Sequence, residues 1–211
     1  MFSLQSLFGR KDPFQSLLAA SAAQAKSSVA ALHGLLSNPG TSSGGLEAFS
    51  ESRRQDKQIT LQIEEALCRT FVTQLEREDI EALSKALYRI PKTAEKIAER
   101  FLISPQRFAG LDFSAEVASM DAATAVVVEM IDHLGGEMNP EALHSLNARL
   151  QEIEGNADKQ LLAALRRIYN DSGLDPLSAI AQKDLYDLIE KVVDRCRDAG
   201  TVVTHIVLKN S

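Results

Sequence analysis

At 211 residues the chain is long enough for one large domain or two small ones, and with 45% hydrophobic and 25% charged residues it can bury a core without disulfide or metal staples. Lys+Arg 23 against Asp+Glu 29 gives a net charge of −6, which argues against a nucleic-acid footprint and leaves room for cations or a basic partner surface. Gly 11, Pro 6 and the absence of Trp speak against a short-stranded β architecture, and no apolar run approaches the length of a membrane span.

The first residues, MFSLQSLFGRKDPF, lack a basic start, a long apolar core and a cleavage site. They read as a short docking segment rather than a signal peptide or an amphipathic surface anchor. From there the punctuation is helical. Asp12-Pro13, Asn139-Pro140 and Asp175-Pro176 each read as an N-cap followed by proline at the first helical position. Thr73-Gln74-Leu75-Glu76 has the form of a capping box. Stops lie at Asn38-Pro39-Gly40 with the Thr/Ser/Gly run to Gly45, at Gly135-Gly136 and at Asp171-Ser172-Gly173. These signals predict six helices, at about 13–37, 46–72, 74–103, 113–134, 140–170 and 176–208.

Phe14, Leu18, Ala22, Ala25, Val29, Leu32 and Leu36 keep a helical period through the first. Leu185, Leu188, Val192, Cys196, Ala199, Val203 and Ile206 do so through the last. Pro91 falls inside the third helix and is expected to kink it. Helices this long need long antiparallel neighbours, so the fold class is all-α. EREDIEALSKALYRI and KDLYDLIEKVVDRC align without gaps from Asp79 and Asp184, which predicts two pseudo-repeated three-helix bundles, 1–103 and 113–211, within one helical domain. Cys68 and Cys196 are expected to be buried thiols of a reducing compartment.

The residues that carry chemistry are acids. On the last helix Glu190, Asp194 and Asp198 stand four apart, on one stripe nearly opposite the apolar seam. That position favours a solvated polar face. On the fifth helix Glu154 and Asp158 repeat the spacing, and Glu154 lies at the edge of the apolar face, where a carboxylate is costly without a partner. Gly155 and Asn156 beside it are poor helix formers, a local inconsistency of the kind functional sites show. An interhelical salt bridge accounts for such a pair as readily as a ligand set does. Ferritin-like di-iron chemistry needs two Glu-x-x-His motifs, and Glu141 with His144 is the one candidate. His33 and His133 read as packing, capping or helix-dipole residues. No phosphate-cradling loop or nucleophile–base set is visible, so the chain is not read as an enzyme.

TFVTQLEREDIEALSKAL (Thr70–Leu87), IEGNAD (Ile153–Asp158), KDLYDLIEKVVDRCRDAG and the closing HIVLKNS together resemble the PhoU-like phosphate-transport regulators. Within that family the resemblance is to the accessory proteins paired with Pit-type phosphate permeases. It implies a cytoplasmic regulator of inorganic phosphate transport, peripheral to the inner face of the cell membrane through its permease partner; the long exposed amphipathic helices, for their part, suit a homo-oligomer. The resemblance also implies metal ions on Glu/Asp-x-x-x-Asp motifs at the bundle surface. Here those positions are Glu154 with Asp158, Glu190 with Asp194, and Asp194 with Asp198. Oxygen ligands suit hard ions such as Mg, Mn or Fe.

The first half departs from the pattern. Ser52 stands four residues before Asp56, Gln74 fills the proline slot, and Tyr88, Arg89, Pro91 and Lys92 follow Leu87 where acids are expected. In the internal alignment Arg89 meets Asp194, so the expectation is a guanidinium that neutralises the first-half acids and metal confined to the second half. The alternative is a helical scaffold whose acids are solvated and bind no metal.

Overall fold

The computed structural model describes residues 13–37, 45–135 and 139–210. The N-terminal docking segment up to residue 12, its Asp12 cap, the stop at 38–44 and Gly136 lie outside them. The described residues form six α-helices and no strand: α1 (Pro13–Ser37), α2 (Gly45–Arg69), α3 (Arg77–Ile103), α4 (Ser114–Leu134), α5 (Pro140–Asn170) and α6 (Pro176–Asn210). A 3-10 turn, Pro105–Phe108, joins α3 towards α4.

The expected third-helix start is displaced. Thr73 does not cap it; its hydroxyl donates to the Leu75 carbonyl, and α3 begins at Arg77 after Glu76, with no side-chain cap. Arg77 reaches back instead to the carbonyls of Thr70 and Leu67, satisfying acceptors that the end of α2 leaves open. Asn139 behaves as expected, its side chain accepting from the Glu141 and Ala142 amides. Pro91 is buried and α3 runs through it as one element.

Four helices make a closed ring, α1 on α3, α3 on α6, α6 on α4 and α4 on α1. Against this ring α2 lies between α1 and α3, and α5 between α4 and α6. Ring helices bury far more of their length than the two outer ones. α3 buries Leu83, Leu87, Ile90, Ala94, Ile97 and Phe101, and α6 repeats that spacing with Leu185, Ile189, Val192, Cys196, Ala199 and Val203. In the outer pair, Phe49, Asp56, Ile63 and Leu67 of α2 recur as Leu150, Ala157, Ala164 and Ile168 of α5.

That register differs by three residues from the alignment started at Asp79 and Asp184. The latter matches Ile90, which is buried, with Arg195, whose side chain is 28% exposed. Packing, which fixes position on the helix surface, outweighs letter identity among the exposed residues. The fold also ties two of the segments singled out in sequence to each other. Lys209, from the closing stretch of α6, donates to Glu76 at 2.8 Å and to the buried Asp79 at 3.1 Å.

Cys196 is buried as expected, and burial pushes its thiol well above the ordinary range. Cys68 is exposed, because its helix α2 has ring helices on one side alone.

Candidate acidic site between α5 and α6

Burial on three sides shapes this site. α6 packs against α3, α4 and α5, so little of its circumference reaches solvent, and Glu190 and Asp194 do not lie on the fully solvated face that their wheel position suggests. Glu190 and Asp194 are half-buried, and Asp198 is exposed. On α5, Glu154 is half-buried at the seam edge and Asp158 is exposed.

Three of the five acids meet cations of this chain. Asp194 pairs with Lys191, Asp198 with Arg195 at 2.7 Å, and Glu154 with Arg197 across the α5–α6 groove at 3.5 Å. The remaining interaction is between acids. Burial raises the proton affinity of Glu190, and a hydrogen bond with Asp194 and the negative charges of Asp194 and Asp158 raise it further. The Lys191 ammonium beside it offsets this in part.

Glu190 also lines a small crevice with Glu116 and Ser119 of α4, Gln160 and Leu161 of α5 and Tyr186 of α6. Glu116 is likewise raised by burial, an effect that Arg167 partly offsets. Tyr186 is held by Arg167, which donates to its hydroxyl at 2.6 Å. Glu116 is a residue the sequence reading passed over. It stands one turn before the buried Met120, on the inward stripe of α4, and an acid at an inward position was the available signal.

The donor set is oxygen-only and suits a hard cation. Among the described residues, however, no three His, Cys, Asp or Glu side chains are placed to hold an ion together. An ion here has to displace the lysine and arginine partners. Glu141 and His144 both face solvent in the first turns of α5. His33 is exposed, its Nδ1 lying 3.0 Å from Asp121 across α1 and α4.

The buried register shows what the first half puts in the same places. Opposite Glu154, Asp158, Glu190, Asp194 and Asp198 stand Arg53, Lys57, Tyr88, Lys92 and Lys96. The neutralising guanidinium is Arg53, not Arg89, which is exposed and pairs with no described carboxylate. Arg53 donates to Glu95 at 2.8 Å, Asp56 at 3.2 Å and the Tyr88 hydroxyl at 2.7 Å, with its guanidinium 4.4 Å above the Tyr88 ring. Asp56 is fully buried and its Oδ1 has no hydrogen-bond partner. Burial pushes its carboxyl up to about 7 against the pull of Arg53.

Six helices in this arrangement match solved structures along almost their entire length. A Shewanella oneidensis MR-1 protein described as a candidate PhoU-like phosphate regulatory protein superimposes with a TM-score of 0.72 at 17% identity, over 93% of this chain and 99% of that one. PhoU from Pseudomonas aeruginosa gives 0.70 at 19% identity, over 94% of this chain and 97% of its own. The fold is PhoU-like. In sequence, the chain is 23% identical over 208 residues to a Rhizobium meliloti (strain 1021) protein named as a candidate Pit accessory protein, spanning 98% of this chain and 97% of that protein. No family model matches the chain.

Proposed function

We propose that this PhoU-like protein regulates inorganic phosphate transport by contact with a phosphate permease at the inner face of the cell membrane, and not by catalysis. The observation that carries the reading is its similarity to the Rhizobium meliloti protein over 98% and 97% of the two lengths. Long packed helices with exposed polar faces suit recognition by surface. None of the described helices is long and apolar enough to cross a membrane, so the permease supplies the membrane-spanning part.

The test is recovery of a phosphate permease with the tagged chain from solubilised membranes, with labelled phosphate uptake measured in cells lacking the chain. No permease recovered and unchanged uptake sinks the proposal.

A second reading is favoured by the Glu190, Asp194 and Asp158 group, where negative charge is concentrated at a half-buried position. In it Glu190 and Asp194, assisted by Asp158, Glu154 and Asp198, hold a Mg, Mn or Fe ion that fixes the α5–α6 face for its partner. Binding is confined to the second half, because cations and a tyrosine hold the corresponding first-half positions. Elemental analysis giving ions in equal number on both halves, or no retained ion and no gain in stability on adding metal, sinks it.

A further inference from the structure

The outward side of α3 bears a run of cations that the rest of the fold leaves unmatched. Arg89, Lys92, Lys96 and Arg100 are all exposed, and none pairs with a described carboxylate. At 100° per residue they fall within an arc of roughly 80°, and from Arg89 to Ile103 the stripe is about 21 Å long. Glu95 is already engaged by Arg53, which leaves Glu99 as the one acid beside the stripe without a partner.

On α6, the ring helix that α3 packs against, the charges alternate instead. There Lys183 pairs with Asp187, Lys191 with Asp194 and Arg195 with Asp198, each one turn apart. On α3, Lys92 is followed four residues later by Lys96 and then by Arg100, an arrangement of like charges that weakens a helix rather than supporting it. A surface needing solubility alone, on a chain of net charge −6, gains nothing from this. Ile103, 73% exposed, ends the helix on the same arc.

We propose that the Arg89–Lys92–Lys96–Arg100 face of α3 lies on an anionic bilayer surface, with lipid headgroups supplying the missing negative charge and Ile103 entering the headgroup layer. A bilayer fits better than an acidic protein segment because the stripe is long, evenly charged and ends in an outward apolar side chain. Such contact is additional to any permease and is separable from it, since protein-free vesicles contain none.

The experiment is flotation of the full chain with vesicles of phosphatidylcholine alone or with 30% phosphatidylglycerol, at low and high salt. Each basic residue near an anionic surface strengthens binding roughly fivefold. Binding is therefore expected to the anionic vesicles alone, to disappear at high salt, and to fall more than tenfold in Lys92→Glu/Lys96→Glu. Lys159→Glu, an exposed charge change on α5, is expected to bind as the unaltered chain does. Both variants change exposed residues, and circular dichroism checks their folding.

Binding to neutral vesicles, equal loss in the Lys159 variant, or no binding to anionic vesicles overturns the proposal. Loss of permease recovery in the double variant, without vesicle binding by the unaltered chain, assigns the stripe to an acidic protein partner instead and also overturns it.

Discussion

Arg53 on α2 and Glu95 on α3 form a 2.8 Å ion pair whose counterpart in the second half, Glu154 on α5 and Arg197 on α6, carries the same charges in exchanged places. The two bridges cross equivalent grooves but differ in tightness. Arg53 is 16% exposed and has three partners, whereas the Arg197 contact is 3.5 Å long and its Nε makes no hydrogen bond. Replacing Arg53 by Ala strands Asp56 and Glu95 and is expected to cost about 3 kcal/mol in denaturant unfolding. Arg197→Ala is expected to cost about 1 kcal/mol or less. Equal costs overturn the ranking.

Asp56 gives stability a pH dependence of its own. Its carboxyl is raised from 3.8 to about 7, so between those values the folded chain holds a proton that the unfolded chain has lost. This contribution is fully present below pH 3.8 and is lost as pH rises through 7. Asp56→Asn is expected to flatten that decline in unfolding free energy. An unchanged slope between pH 4 and 7 assigns the dependence to other groups.

The metal binding proposed for the α5–α6 face would carry the opposite sign. Glu190 must release its proton to serve as a ligand, and burial with the neighbouring Asp194 makes it hold that proton more tightly than an ordinary glutamate. Manganese affinity is expected to rise with pH through the neutral range, by up to about tenfold per unit for one released proton. Asp194→Asn is expected to weaken the ion while leaving the helical signal and midpoint of unfolding nearly unchanged. Loss of the fold instead makes Asp194 structural.

The two thiols should separate cleanly. Native protein treated with a disulfide reagent is expected to yield one reactive thiol per chain, Cys68, with Cys196 released after denaturation. Two fast equivalents would mean that α6 opens readily.

Helix positions were legible because they depend on local chemistry: Asn139 caps α5 from its own side chain, and the prolines of α5 and α6 stand at their first turns. Thr73 does not cap because its hydroxyl is turned to the Leu75 carbonyl and α3 starts only at Arg77, whose contacts back to Thr70 and Leu67 span seven to ten residues that spacing rules do not see. At the acidic site the residues on one helix could be listed from their spacing, but not their burial. Glu190 is half-buried because α6 has three neighbours, and which helices those are is a property of the ring. Arg53 escaped notice for the same reason: its three partners come from α2 and α3 together, while Arg89 merely aligned with an acid.

The outer placement of α2 has a dynamic consequence. It touches α1 and α3 but neither α4, α5 nor α6, and anchors itself through few buried side chains, one of them the carboxyl of Asp56. Its amides should therefore exchange with solvent hydrogen through partial openings that leave the four-helix ring closed, well before the amides of α3 and α6 do. Each such opening is expected to uncover Glu95 and Tyr88 as Arg53 withdraws, which would give the first half an excited state that differs in charge from its resting surface.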